Sequence, residues 1–304
     1  MERLSSNNQV TISELIHRGA LALAGVSSSA RLDSEVLLGH VLGFTRTQLI
    51  TGGDTACSQE IVAHFSAFLE RRQRGEPVAY ITGEREFWGL SFEVSPAVLV
   101  PRPESELLVE EALAFLGSAR SVRFVDLGVG SGCLSIALVA ELLKQRCDVR
   151  CVGVDISHEA LQKAMANAKR HGVERNITYS HGDWFDGIKA LKPPYDLIIA
   201  NPPYIDSSEQ VPIELSFEPR GALFAEDQGL RDVKIIIERA ADMLRAGGLL
   251  LVEVGAGKRK ALQELLSMFE SHYEISLLGD DSAQDRFTVI RLIRRQETVA
   301  KNNA

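Results

Sequence analysis

A chain of 304 residues with 45% hydrophobic and 24% charged side chains has the composition of a globular protein, long enough for one large domain and a smaller one. Its 41 acidic against 33 basic residues leave a net charge of −8. That balance works against non-specific nucleic-acid binding, which depends on neutralising phosphates, though it leaves room for a local basic patch. Cys57, Cys133, Cys147 and Cys151 include no C-x-x-C pair, so reduced thiols in a cytoplasmic protein are expected and a metal centre is not. No run of about 18 uncharged apolar residues is present, so neither a membrane span nor a membrane partner is expected. Gly19 to Val26 resembles a signal-peptide core, but Glu2, Glu14 and the polar run Ser5 to Gln9 precede it. Those flanks favour an amphipathic helix.

Residues 11–75 read as helices. Ile12, Leu15 and Ile16 share one helical face, as do Val36, Leu37 and His40, then Ile61, Phe65, Phe68 and Leu69. Ser27 to Ser29 and Gly52-Gly53 punctuate them. Arg71, Arg72 and Arg74 either meet an acidic partner or stabilise a helix C-terminus ahead of Gly75. Arg85 to Val94 alternates apolar and polar around Gly89, the pattern of a β-hairpin. Pro101 and Pro103 then lead into a helix with Glu104 and Glu106 in its first turn.

From residue 122 onward strands and helices alternate. Strands are predicted over 122–127, 149–154, 177–180, 196–200 and 249–254. Helices are predicted over 133–145, 157–171, roughly 229–245 and 258–270, with a turn at Gly247-Gly248. Two final strands, 273–278 and 286–293, have no helix between them and should pair antiparallel. Such alternation predicts an α/β fold with a mostly parallel sheet covered on both faces. The expected domains are a helical one over 1–78, a β-hairpin linker over 79–100, a ligand-binding one over 101–295 and a frayed tail over 296–304.

Asp126-Leu-Gly-Val-Gly-Ser-Gly132 falls where the first strand of the sheet gives way to a helix, at the strand end where doubly wound sheets bind ligands. Gly128, Val129, Gly130, Ser131 and Gly132 form a G-x-G-x-G loop without the spacing of the dinucleotide fingerprint. A tight turn with no ligand has the same glycines. Asp155 ends the second strand, where a carboxylate can accept two hydrogen bonds from a ribose diol; the alternative role of helix cap suits Ser157 better. Asp183 and Trp184 follow the third strand. The first can accept from an exocyclic amine, and the second is either a purine platform or part of the core. Three elements at three successive strand ends point to an adenosine-containing ligand.

Asn201-Pro202-Pro203-Tyr204 follows the fourth strand. Two prolines stiffen the loop and remove two N–H donors, so it presents acceptors: the Asn201 side-chain oxygen and the Pro202 carbonyl. An amide or aromatic amine is a poor nucleophile because its lone pair is delocalised. Two acceptors on its N–H groups orient it and stabilise the positive charge that develops as it attacks a methyl group. Tyr204 can cover the flat group with its ring. The segment from Asp206 to Glu218 carries Asp206, Glu209, Glu214 and Glu218 with no Lys or Arg, a rim expected to repel phosphates. A flipped adenine offers the same planar amine, but a nucleic-acid enzyme would need a basic channel, which is not evident here.

Phe87-Trp-Gly-Leu90, Pro101-Arg-Pro-Glu-Ser-Glu106, Asp126 to Gly132, Gly182-Asp-Trp-Phe-Asp186, Asn201-Pro-Pro-Tyr-Ile205 and Glu218-Pro-Arg220 with Leu223-Phe224 together resemble the bacterial release-factor glutamine methyltransferases, the PrmC/HemK family. The likeness runs from about residue 76 to the end. It implies a class I S-adenosylmethionine-dependent methyltransferase fold, Rossmann-like, with a mostly parallel seven-stranded sheet, an antiparallel last strand and a small N-terminal helical domain that docks substrate. The implied cofactor is S-adenosyl-L-methionine, held by Gly128 to Gly132, Asp155, Asp183, Trp184 and Asn201. The implied partners are class I peptide-chain release factors, whose Gly-Gly-Gln glutamine would be held by Asn201, Pro202, Pro203 and Tyr204, with no nucleic-acid partner. A ribosomal-protein glutamine methyltransferase is the alternative. Val129, where the family usually has Thr, Lys258, where it usually has Gln, and the looser segment Asp281 to Arg286 are the departures.

Overall fold

The structure, a computed structural model, describes residues 10–188, 192–279 and 287–296. The polar run over 5–9, the segment 281–286 and the tail from 297 lie outside the described residues. The chain divides into two compact units: residues up to Glu84 with Pro212–Phe217, and Arg85–Val211 with the chain from Glu218 onward.

The first unit holds α1 (Ile12–Leu23), α2 (Ala30–Leu42), α3 (Arg46–Thr51), α4 (Gln59–Gln73) and α5 (Val78–Thr82). Thr11 and Glu14 form a reciprocal capping box at α1, and Thr45 and Gln48 form another at α3, so the sequence writes both helix starts locally. Ile12, Leu15, Ile16, Leu37, Leu38, Leu49 and Phe65 make the core, with Ile61, Phe68 and Leu69 packed against it. The expected face Val36, Leu37, His40 is half right: Leu37 is buried, but Val36 and His40 are exposed. The buried positions of α2 are Asp33, Ser34, Glu35, Leu37, Leu38 and Gly39. Gly19 explains the rotation, because Ser34 Oγ lies 2.4 Å from where a Cβ on Gly19 would sit. The close crossing lets Ser34 donate to the Ile16 carbonyl at 3.0 Å.

Arg72 is buried, with Nε donating to Asp33 Oδ2 at 2.8 Å and a second nitrogen paired with Glu214. It therefore ties α4 to α2 and to the 3₁₀ turn Ile213–Phe217, all within this unit. Arg71 instead pairs with Glu76 at 2.5 Å.

The second unit opens on a hairpin of β1 (Glu84–Phe87) and β2 (Leu90–Glu93). Its two turn residues, Trp88 at φ 53° and Gly89 at φ 69°, both take the left-handed conformation that a twisted two-residue hairpin requires. Glu106 and Glu141 accept from the Trp88 backbone and indole nitrogens at 2.8 and 3.2 Å and hold it there. A 3₁₀ turn, Pro103–Ser105, then runs into α6 (Glu106–Leu116).

The sheet follows: β3 (Ser121–Leu127), α7 (Cys133–Lys144), β4 (Asp148–Asp155), α8 (His158–Arg170), β5 (Ile177–His181) and β6 (Tyr195–Ala200). The two-residue strands β7 (Ile205–Asp206) and β8 (Phe224–Ala225) pair with each other around α9 (Arg220–Leu223). The remaining elements are α10 (Arg231–Met243), β9 (Leu244–Gly255), α11 (Arg259–Ser267), β10 (Tyr273–Leu278) and β11 (Phe287–Arg294). The seven strands lie in the order β10-β11-β9-β6-β3-β4-β5. β11 runs antiparallel to both its neighbours, while β9, β6, β3, β4 and β5 pair parallel. Along β3, Val122 and Phe124 enter one core and Val125 and Leu127 the other, the sign of a sheet buried on both faces. Gly247-Gly248, expected as a turn before the strand, sits inside β9, where the pairing with β6 shifts register. Among the described residues no helix is long and apolar enough to cross a membrane.

Arg72→Ala would leave Asp33, 8% exposed, without its cation. The expected loss is about 3 kcal/mol, the scale of a broken buried ion pair, read as a lower midpoint for the helical unit in chemical denaturation.

Candidate active site

Strand order reverses at β3, which has β4 on one side and β6 on the other, and a crevice opens at such a switch point. Gly128, Gly130 and Gly132 carry φ values of 74°, 53° and 83°, a conformation that side chains disfavour. The Gly128 and Val129 amides both donate to the Val154 carbonyl, at 2.8 and 2.9 Å, pulling the loop onto β4. Val129 is buried against Leu161, Ala164 and Tyr179. Its β-branched shape is what the packing uses, and its apolar surroundings suit a methyl at the site of the usual hydroxyl.

Asp155 links the loop to the next helix. Its Oδ2 accepts from the Gly130 amide at 2.9 Å and its Oδ1 from the Ser157 amide at 2.9 Å. Ser157 in turn caps α8 through the Ala160 amide, so Asp155 is not the helix cap. Burial raises the Asp155 pKa, while those backbone donors oppose the rise. Each carboxylate oxygen keeps a further lone pair for a diol. Trp184, at φ 42°, donates its indole N–H to Asp232 at 3.2 Å. Its ring edge lies 3.4 Å from where a Cβ on Gly128 would be. Gly182 and Gly187 permit this turn: a Cβ on Gly182 would stand 2.4 Å from the Gly187 Cα.

These elements surround a cavity of about 360 Å³, within the usual range for small-molecule sites. Gly128, Val129, Gly130, Ser131, Asp155, Asp183, Trp184, Asn201 and Pro203 line it; Gly132, Pro202 and Tyr204 do not. Sequence reasoning missed Ala97, Val98, Leu99, Ser105, Pro219, Gly221 and Ala222, which also line it. Ser105 sits in the Pro-Arg-Pro-Glu-Ser-Glu segment, so its neighbourhood carried a signal although its side chain was not singled out. Cys133, also in the wall, is pushed up to about 12 by burial and stays a neutral thiol.

The donor set fits S-adenosylmethionine. A carboxylate stands ready for the ribose, a flat ring for the base, and a loop with no Cβ at Gly128 and Gly130 admits close approach. Beneath the loop Asp126 is 1% exposed, and its Oδ1 has no hydrogen-bond partner among the described residues, as suits a site that receives a cationic ligand. Bound there, that group supplies an electrophilic methyl.

Asn201 directly follows β6. Its Nδ2 donates to Ser105 Oγ at 3.1 Å, which leaves Oδ1 as the free acceptor. Pro202 is buried and Pro203 faces the cavity. The Tyr204 ring lies against Gly255, 2.6 Å from where a Cβ would be, and the Tyr204 carbonyl approaches Gly229 to 2.0 Å from its Cβ position. Any side chain at either glycine would push the loop away. Burial lifts the Tyr204 phenol to about 12, so it remains neutral. Lys258, at the position of the usual glutamine, donates to the Gln228 carbonyl and lies 3.4 Å from Glu209, steadying the chain that flanks the loop.

The acidic rim expected over Asp206 to Glu218 is a correction. Glu209 faces Lys258, and Glu214 pairs with Arg72 inside the helical unit. Glu218, buried, accepts from the Val100 amide at 2.9 Å and pairs with Arg102. Distant cations neutralise three of the four carboxylates, so that segment gives little repulsion of phosphates.

The strand order and this cavity define a class I S-adenosylmethionine-dependent methyltransferase. Residues 118–287 match the family model described as a methyltransferase domain, and residues 14–83 match the PrmC N-terminal domain. The chain belongs to the release factor glutamine methyltransferase family. It is 38% identical to the release factor glutamine methyltransferase of Escherichia coli strain K12 over 278 residues, 90% of this chain and 96% of that one. It is 35% identical to that of Haemophilus influenzae over 281 residues, 88% of this chain and 94% of the relative. Among solved structures, the hMettl16 catalytic domain in complex with MAT2A 3′UTR hairpin 6 superposes with a TM-score of 0.55 at 18% identity, covering 72% of this chain and 81% of that one. A methyltransferase from Pyrococcus furiosus superposes with a TM-score of 0.50 at 17% identity, covering 73% and 98%. At these identities the two structures share the fold.

Asp155→Ala is expected to weaken S-adenosylmethionine binding by about 2 kcal/mol, the scale of lost hydrogen bonds to a charged group. Unchanged affinity in titration calorimetry would remove Asp155 from the site. A second expectation concerns pH. Burial raises Asp126 from 3.8 to about 7, so the unfolded chain releases this proton at lower pH than the folded one. Its contribution to stability is therefore greatest below about pH 4 and is lost as pH rises towards 7. Asp126→Asn removes that slope, and its melting temperature relative to the parent should climb between pH 5 and pH 7.5. A constant difference would contradict the assignment.

Proposed function

We propose that this protein transfers the methyl group of S-adenosylmethionine to the side-chain amide nitrogen, N5, of the glutamine in the Gly-Gly-Gln loop of class I peptide-chain release factors, in the cytoplasm. The observation that carries this reading is the orientation of Asn201: its NH2 is engaged by Ser105, and its oxygen is left to accept at the cavity that would hold the donor. Asn201 Oδ1 and the Pro202 carbonyl take the two N–H groups of the glutamine amide, fixing its plane and stabilising the charge that grows on nitrogen. The proton leaves after transfer, so no general base is required beforehand. Tyr204, its ring seated on Gly255, covers the flat group. A Gly-Gly-Gln loop suits a narrow site because its glycines bring no side chains. The helical unit, which contains none of the cofactor elements, serves to dock the folded release factor. Family membership supports this acceptor over a nucleic-acid base, because the loop itself grips any planar amine.

The test supplies labelled S-adenosylmethionine with a class I release factor, its Gln→Ala variant in the Gly-Gly-Gln loop, DNA and RNA. Label is expected only on the unmodified release factor. Label on nucleic acid, or equal label on the Gln→Ala variant, would overturn the acceptor assignment. In the same assay Asn201→Ala should transfer about 100-fold more slowly at saturating substrate, the scale of a lost charge-stabilising group.

A further inference from the structure

Glu253 lies 1% exposed near the carboxyl end of β9. β6 and β9 pair parallel with Ala200 opposite Val252, so the next residues along, Asn201 and Glu253, are neighbours at the strand ends. From a third element, the turn Pro103–Ser105, comes Ser105, itself 3% exposed, whose Oγ accepts from Asn201 Nδ2 at 3.1 Å. The Ser105 and Asn201 side chains lie beside the Glu253 carboxylate and favour its charged form. Its Oε2 has no partner among the described residues. A buried carboxylate left partly unpaired is costly, and packing alone would be served better by an apolar side chain of the same size.

An asparagine amide has two nearly isosteric orientations, one presenting oxygen and the other nitrogen. Only the first can accept an N–H from a substrate amide. An ionised carboxylate has acceptors and no donor, so the group that faces it must be the NH2. Ser105 acts in the same sense when its hydroxyl hydrogen points to Glu253 and its oxygen lone pair to Asn201. We infer that Glu253 is a positioning residue that, with Ser105, selects the Asn201 orientation in which Oδ1 is offered to the methyl acceptor. Arg102 favours the charged carboxylate, whereas burial and Glu104 push the Glu253 pKa up to about 7.

This inference rests on the proposed acceptor role of Asn201, and the experiment separates the two. Glu253→Gln keeps the volume but replaces the acceptor-only group with one that can face either end of Asn201. At saturating S-adenosylmethionine and release factor, Glu253→Gln should lower kcat about tenfold, with cofactor Kd and release-factor KM within about twofold of the parent. In an Asn201→Ala background the same substitution should cost nothing further, because coupled residues are non-additive. Ser105→Ala should lower kcat in the same way, and the Asn201 side-chain amide signals in a ¹⁵N spectrum should move in Glu253→Gln. A near-parental kcat, or the same factor lost with and without Asn201, would overturn the role of Glu253. A loss in cofactor affinity equal to the loss in kcat would overturn it too, by making Glu253 a purely structural residue. No label on the release factor from the parent enzyme would instead overturn the acceptor reading itself.

Discussion

The site depends on the parallel register of β3 with β4 and β6. Leu127 pairs with Val154 and Ala200, so the next residues on the three strands, Gly128, Asp155 and Asn201, emerge at one level. Parallel pairing is what makes this possible, because every strand then ends on the same side. The Gly128 and Val129 amides on the Val154 carbonyl and the Gly130 amide on Asp155 extend that pairing past the last sheet residue. The ligand loop is thus a continuation of the sheet, and its geometry is held by the cores on either face.

A second consequence is electrostatic. Strand ends buried on both faces bring carboxylates out of water: Asp126 and Glu253 are both 1% exposed, and burial lifts each to about 7. Such groups oppose stability at neutral pH, and they lie next to the residues assigned to the reaction. Asp126 keeps an oxygen with no partner among the described residues, and Glu253 stands beside Asn201.

Close approaches decide the shape of the acceptor loop. Tyr204 occupies space that a side chain on Gly255 or Gly229 would fill. The two prolines stiffen the loop from within, and these two glycines, distant in sequence, let it lie down. The order of the loop therefore comes from both its composition and its neighbours.

Much of the fold was legible in the residues themselves. Continuous apolar runs alternating with helical patterns announce a parallel sheet, because a strand buried on both faces has no polar side. The capping boxes at Thr11 and Thr45, the glycines after β3 and the Asn-Pro-Pro-Tyr loop are local signals, written within a few residues. What stayed hidden depends on neighbours far along the chain. Val36 turns outward because Gly19 admits Ser34 on the adjoining face. Arg72 is buried because Asp33 and Glu214 meet it from positions 39 and 142 residues away. The carboxylates read as a repelling rim are mostly spent on such partners, and the contact that engages the Asn201 NH2 comes from the Ser105 turn. Local propensity and side-chain period determined which elements form. Only the tertiary structure decided which charges are neutralised and which way an asparagine amide points, because both depend on atoms that the sequence keeps far apart.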